Sequence, residues 1–358
     1  MTLGLSMIVK NESEVLERVL KNVLSFVDEI VIVDTGSTDG TIDIAKKYTD
    51  KVYTFEWNDD FSAARNFALS KVESDYWMWL DADDLVPEET AICIAEYMKN
   101  SNGMVDVIML PYVVDRTEDG KPSFSYYRER IMKNHTDFVW QGCVHEVIQP
   151  QGEIVKFPYY IIHDKPKRRG NGMRNLNIYR KSIASGKILS AREKYYYARE
   201  LFYNGFIAQA IEEFKSFLEM PDGFYVNKTD GCMMLARCYL QMNDSRSALD
   251  IAFHSFIYGL PTGEMCCLIG AIYYLLNDYK SAVYWYECAT HIKPDLDSGA
   301  FIDFSAYDFT PYIWLTVCYD KLGDRQKAYQ YHCHTLKLYP KHPSVIINQA
   351  YFESLGYN

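Results

Sequence analysis

The stretch Tyr76-Trp77-Met78-Trp79-Leu80-Asp81-Ala82-Asp83-Asp84 constrains this chain more than any other. Its first five residues are apolar or aromatic, too few for a buried helix and rich in the rings that favour strands. Three carboxylates follow within four residues, where such a strand has to end. Buried strands end that way only beside something cationic, because an unpaired buried charge is costly. In open α/β sheets, ligands bind outside the carboxyl ends of the strands. Hard oxygen ligands suit Mg²⁺ or Mn²⁺, so the expectation is a divalent ion clamping a nucleotide diphosphate. An Asp-x-Asp pair alone discriminates poorly, since most are solvated loop carboxylates or helix caps. The flanking chain has to decide.

Upstream, Leu5 to Val9 reads as a buried strand, and Val15/Val19/Val23 beside Leu16/Leu20/Leu24 as the stripe of an amphipathic helix. Asn11 and Ser13 offer N-caps for it. Glu29 to Val33 gives a second strand, the loop Asp34-Thr35-Gly36-Ser37-Thr38-Asp39-Gly40-Thr41 leads into a helix, and Val52 to Thr54 gives a third strand. Strands alternating with helices imply parallel pairing and right-handed crossovers. Asp34, at a strand's carboxyl end, can accept from a base or a ribose hydroxyl; an ordinary capped βα turn explains the same residues. In the next helix Ser62, Ala63 and Ala64 allow close approach, and Arg65 can meet phosphates, the Asp cluster or a structural partner.

Downstream, Pro87 opens a helix running to Lys99. Val105 to Leu110 reads as a strand, and Glu118-Asp119-Gly120-Lys121 as a hairpin turn between Tyr112-Val114 and Phe124-Tyr126. Arg128-Glu129-Arg130 precedes Phe138-Val139-Trp140-Gln141-Gly142-Cys143-Val144-His145-Glu146. Read as a strand, that segment puts His145 and Glu146 on opposite faces. Tyr159 to Ile162 is a last strand, ending in His163-Asp164.

Four segments now stand in a recognisable order: Met7-Ile8-Val9-Lys10-Asn11-Glu12, Val33 to Thr41, Ala64-Arg65-Asn66 and Leu80-Asp81-Ala82-Asp83-Asp84. Together they resemble the family 2 glycosyltransferases, which have the GT-A fold, across residues 3 to 165. The resemblance implies inverting transfer from a UDP-sugar, UDP-glucose or UDP-N-acetylglucosamine, with Mn²⁺ or Mg²⁺. It implies donor contacts from Val9, Lys10, Asn11, Glu12, Asp34, Gly36, Ser37, Arg65, Asn66, Asp81, Ala82 and Trp140. Among these, the Lys10-Asn11 turn and Asp34 hold the nucleoside, and Trp140 offers an apolar face to a sugar ring. Asp81, Asp83 and His163 are the implied metal ligands, and Glu146, with His145 beside it, the implied general base. Each has a structural alternative: His145 and His163 as satisfied core histidines, Glu146 as a surface residue.

Beyond residue 165 the texture changes. Lys167-Arg168-Arg169-Gly170 and Gly172 read as a linker or lid, and helix follows helix from Tyr195. Ala198/Ala210, Ala236/Ala248, Gly270/Ala282 and Thr316/Ala328 are each twelve apart, with Pro221, Pro261, Pro294 and Pro340 at or beside the next twelve-residue step. Tyr239, Tyr273 and Tyr319 share one place. This resembles tetratricopeptide repeats, the first weak, with an insertion over 295–310 and a capping helix from Val345 to Leu355. The expected architecture is an α/β GT-A domain with a mostly parallel sheet (1–165), a linker or lid (166–190) and an all-α repeat domain (191–358). Stacked repeats leave a concave surface for an extended peptide or another subunit. The expected partners are therefore a peptide or protein acceptor, as in transferases that glycosylate bacteriocin peptides on cysteine, and a second copy in a homodimer.

Composition narrows the alternatives. The net charge of −11 and the lack of a basic block argue against nucleic acid. Nine cysteines without a Cys-x-x-Cys pair read as reduced thiols of a cytoplasmic protein. The alternative acceptor is a lipopolysaccharide or cell-wall precursor, on which members of the same broad group act; no run approaches the roughly 18 apolar residues of a membrane span, which weighs against a lipid acceptor. A nucleotidyltransferase would need a glycine-rich, lysine-bearing opening loop, which is not seen. A non-catalytic repeat scaffold would not be expected to keep Asp34, Arg65, Asp81, Asp83, His145 and Glu146 together.

Overall fold

The computed structural model describes every residue except 117–119, 121, 135–136, 165–171 and 358. The chain divides into two compact units, Met1–Ile188 and Leu189–Asn358. The expected linker, 166–190, contains a helix, and its basic run lies largely outside the described residues.

In the first unit, β1 (Leu3–Val9), α1 (Leu16–Val23), β2 (Glu29–Asp34), α2 (Thr41–Ala45), β3 (Val52–Thr54), α3 (Phe61–Leu69) and β4 (Tyr76–Trp79) alternate as the patterning requires. They are followed by β5 (Asp84–Leu85), α4 (Glu88–Asn100), β6 (Val107–Arg116), β7 (Pro122–Lys133), β8 (Ile154–Lys156), β9 (Ile161–His163) and α5 (Arg174–Ala184). The strand order is β3-β2-β1-β4-β7-β6-β9-β5, with β8 on β6. β3, β2, β1 and β4 pair in parallel. β7 then runs antiparallel to both β4 and β6, so the sheet is mixed. The antiparallel half arises from the expected hairpin, most of whose turn lies outside the described residues.

Strand alternation builds two cores. Along β4, Tyr76, Met78 and Leu80 join the cluster that holds α1 and α4. Trp77 and Trp79 point the other way, into a cluster with Met132, Phe138 and Trp140. On α1, Leu16, Val19, Leu20 and Val23 are buried, whereas Leu24 lies past the helix end, exposed. Asn11 and Ser13 do not cap α1, whose N-cap position is Val15 with no side-chain cap.

The second unit pairs α6 (Ala191–Tyr203) with α7 (Ile207–Glu219) and α8 (Tyr225–Gln241) with α9 (Ser245–His254). It then pairs α10 (Gly263–Leu275) with α11 (Tyr279–His291), and, after α12 (Ser305–Asp308), α13 (Thr310–Lys321) with α14 (Arg325–Leu338). α15 (Pro343–Ser354) packs on α14. All eight small residues of the twelve-residue pattern are buried. At Gly270 a Cβ would come within 2.9 Å of the Tyr286 ring. Three inter-helix turns share one device: a left-handed residue (Asn243, Asn277 or Gly323) followed by an aspartate that caps the next helix. In the first pair Gly205 is left-handed but Phe206 replaces the aspartate, which is why that repeat is faint in sequence. The nine cysteines are free thiols. Among the described residues no helix is long and apolar enough to cross a membrane.

Candidate active site

The central place of β1, between β2 and β4, brings three strand ends together: Lys10–Ser13 after β1, Asp34–Thr41 after β2 and Asp81–Asp84 after β4. The first two loops are stitched to one another. Asn11, left-handed at φ 56°, donates its backbone N–H to Ser37 Oγ at 2.9 Å. Its Oδ1 accepts from Thr38 N at 2.7 Å, and Glu12 N donates to Thr41 Oγ1 at 2.8 Å. Asn11 and Ser37 therefore shape the loop with the groups that the resemblance assigned to the donor. Lys10 stays exposed, while Val9 and Ala82 are buried.

Asp34 is 2% exposed. Its Oδ2 accepts from Gly36 N and Ser37 N, both at 2.9 Å, a turn that requires the φ of +103° at Gly36. Its Oδ1 is buried with no hydrogen-bond partner. An orphaned buried acceptor costs about 1–3 kcal/mol, which a base N–H or ribose hydroxyl at this strand end would relieve.

The acidic end of β4 folds into a tight turn. Asp81 N donates to Asp84 Oδ2 and Asp84 N to Asp81 O, each at 3.0 Å. The β5–β9 register sets Asp84 opposite His163. Asp84 is fully buried, and Oδ2 also accepts from Arg130 Nη1 at 3.0 Å while Oδ1 accepts from Tyr112 OH at 2.7 Å. His163 Nδ1 lies 3.4 Å from both Asp83 Oδ1 and Asp84 Oδ1. One donor atom from each of Asp83, Asp84 and His163 falls within a 4.8 Å span. Burial raises the Asp83 carboxyl, against the pull of His163 and with a push from the charges of Asp81 and Asp84. Burial depresses His163, but its hydrogen bond to Asp84 and the charges of Asp83 and Asp84 reverse this and raise it. Crowded carboxylates beside an oriented imidazole suit a hard divalent cation. Asp81, which the resemblance gave as a ligand, stands outside this cluster.

Asp81 instead faces Arg65. The Arg65 guanidinium, 7% exposed, lies 5.0 Å from the ring centre of Trp79 and 4.9 Å from that of Trp140. Its Nη2 donates to Asp81 Oδ1 at 2.7 Å and its Nε to Glu146 Oε1 at 2.6 Å. Burial would raise the Asp81 carboxyl, but Arg65 overrides it and brings it down to about 2. One arginine thus joins the candidate base to the acidic turn.

Two expectations fail here. Residues 141–147 do not form a strand; they make a tight reversal closed by Gln141 and Val147, whose N–H groups bond each other's carbonyls at 2.9 and 3.0 Å. Gly142 at φ +96° and His145 at φ +53° turn the chain, so Glu146 faces Arg65 by the geometry of a turn and not by strand alternation. Trp140 offers no open face, being 3% exposed and packed edge-on against Trp79 at 5.1 Å. Asn66 is likewise committed to structure: its amide clasps Trp140 N at 2.8 Å and Trp140 O at 3.0 Å.

Sequence reading left Asp84, Tyr112 and Arg130 without roles. Arg130 is fully buried beneath Trp79, its guanidinium 3.7 Å from the ring centre, with Nε and Nη2 unpartnered. An arginine directly preceding the apolar Ile131-Met132 was the available signal, since a strand entering a core seldom carries a charge without a buried partner.

Residues 5–151 match the family model described as Glycosyl transferase family 2. The chain is 30% identical over 187 residues to a TPR repeat-containing protein of Synechococcus elongatus, covering 48% of this chain and 45% of that protein. It is 29% identical over 185 residues to the SPbeta prophage-derived glycosyltransferase SunS of Bacillus subtilis, covering 51% and 42%. The chain thus spans less than half the length of these relatives. Among solved structures, PilW, a type IV pilus biogenesis factor, is similar with a TM-score of 0.43 and 13% identity, over 50% of this chain and 76% of PilW. Residues 5–151 of the first unit thus carry a family 2 glycosyltransferase domain on a mixed sheet, and the second unit is an array of paired helices.

Proposed function

We propose that the protein transfers a sugar, with inversion, from a UDP-sugar to a Ser, Thr or Cys side chain of a polypeptide, assisted by Mn²⁺ or Mg²⁺. The observation that carries this is the Arg65 bridge, which holds Glu146 and the acidic turn in one rigid ionic unit. Asp34 Oδ1 accepts from the nucleoside at the end of β2. Asp83 and His163, backed by Asp84, would hold the ion, which when bound offsets the charge growing on departing UDP. Arg65 occupies Glu146 Oε1, while Oε2 carries no hydrogen bond among the described residues. That oxygen takes the proton of the acceptor hydroxyl or thiol. The acceptor atom bonds to the anomeric carbon from the face opposite UDP, and the C–O bond to UDP breaks with its electron pair leaving on the phosphate. The polypeptide acceptor is supported by the repeat unit, because stacked helix pairs present long surfaces suited to extended chains.

UDP release from UDP-glucose and UDP-N-acetylglucosamine, measured with Mn²⁺ and then with EDTA, tests this reading. Release of UDP from one donor, abolished by EDTA, is expected. In Asp83→Ala the metal concentration for half-maximal rate should rise by at least about tenfold, in line with the 10–100-fold costs of disturbing a metal site. Release unaffected by EDTA would overturn the metal dependence. Failure of both donors to stabilise the protein against heat would overturn the donor class.

A further inference from the structure

We infer that α5 is a brace of the Glu146 turn and that Tyr179 is its positioning residue. This rests on the reading of Glu146 as base. α5 lies wholly beyond residues 5–151, the segment that matches the family model, so the family match gives it no part in the site. The geometry does. Tyr179 is fully buried and its hydroxyl donates to Val144 O at 3.2 Å, two residues before Glu146. The neighbouring carbonyl, Cys143 O, accepts from Phe61 N at 3.0 Å at the start of α3, the helix that carries Arg65. α5 also grips that end of α3. Arg174 lies 5.0 Å over the Phe61 ring, and Lys181 Nζ meets Asp59 Oδ2 at 2.7 Å.

The turn is therefore fastened by two helices. α3 holds it through Cys143 O, and Arg65 holds Glu146 itself; α5 holds the intervening carbonyl. A seven-residue reversal with two left-handed residues has several backbone alternatives of similar energy, and His145, not being glycine, is strained at φ +53°. Strained positions persist where their surroundings over-determine them, and the Tyr179 bond supplies such a constraint at the residue just before His145. Leu176, also fully buried on α5, shares its face, so the brace is part of the packed interior.

Tyr179→Phe removes the hydroxyl and keeps the ring, so the fold is retained. In the full chain, hydrogen exchange of the Gln141 and Val147 amides, which close the turn, should speed up by roughly 3- to 10-fold, the consequence of losing one neutral hydrogen bond. Exchange in β1 and β2 should not change. UDP release from the preferred UDP-sugar should fall by a similar factor with KM for the donor unmoved. In the Glu146→Gln background the Tyr179→Phe change should lower the rate no further, because it acts only through Glu146. Unchanged exchange at Gln141 and Val147 would overturn the brace. An equal further loss of rate in the Glu146→Gln background would overturn the route through Glu146. A normal rate for Glu146→Gln alone would instead remove the base assignment, while faster exchange in Tyr179→Phe would still show the brace.

Discussion

With Glu146 as the proposed base, Glu146→Gln is expected to lower the turnover of donor by about 10²–10⁴-fold, the usual contribution of a positioned general base, while binding of the proposed UDP-sugar is retained. The amide keeps the size of the carboxylate and its oxygen can still accept from Arg65 Nε, so the ionic unit loses a charge but not its shape. What disappears is an oxygen able to take the acceptor's proton. Glu146 lies on the turn beyond β7, whereas the buried acceptor Asp34 Oδ1 ends β2, so the proposed nucleoside contact is untouched. The measurement is kcat for UDP formation beside donor affinity from calorimetry. A kcat within twofold of the parent would assign the proton to another group.

Asp84→Ala produces the largest loss of stability, about 3–5 kcal/mol, because it breaks a fully buried ion pair by removing one partner. Arg130 would be left with the carbonyl of Trp79, at 3.2 Å, as its remaining hydrogen-bond acceptor, and Tyr112 OH would lose Asp84 Oδ1. Domains of this kind hold about 5–15 kcal/mol in total, so the variant stands close to unfolding at growth temperature. The thermal transition of the first unit reports it. Replacing both partners, as Asp84→Ala/Arg130→Met, should regain much of the lost stability, since apolar packing substitutes well for a buried pair. It should not regain metal-dependent activity. A loss below about 1 kcal/mol, the ordinary cost of a point mutation, would show that the pair contributes little.

Much of the first unit was legible because its parallel strands are short apolar runs closed by loops rich in Asp, Gly, Ser and Thr. Leu5 to Val9, Glu29 to Val33 and Val52 to Thr54 all lie in strands. Asp34, Arg65 and Asp81 were visible as charges at strand ends or on a helix of small residues, and Arg65 does reach the acidic turn. The segment from Trp140 to Glu146 misled for a physical reason. Its apolar and aromatic residues satisfy a strand pattern, but a reversal depends on left-handed φ values at Gly142 and His145, and histidine does not announce one. Trp140 was misplaced because an indole serves equally as a sugar platform or as packing, and only its neighbours Trp77 and Trp79 decide. The pairing of Asp84 with His163 rests on strand register between segments 79 residues apart, which local spacing does not encode. In the second unit the twelve-residue spacing of small residues sufficed, since all eight are buried and at Gly270 even a Cβ would come within 2.9 Å of the Tyr286 ring.

The position of α5 bears on how such proteins can be recombined. The family match stops at 151, and a transplant cut there, or at 165, would leave behind the helix whose Tyr179 reaches Val144. The natural seam for exchanging whole units between relatives is the junction at Ile188 and Leu189, where one compact unit ends and the next begins. Chimeras joined there keep the Glu146 turn together with the helix that touches it. Those joined earlier inherit the motifs without the support that aims them.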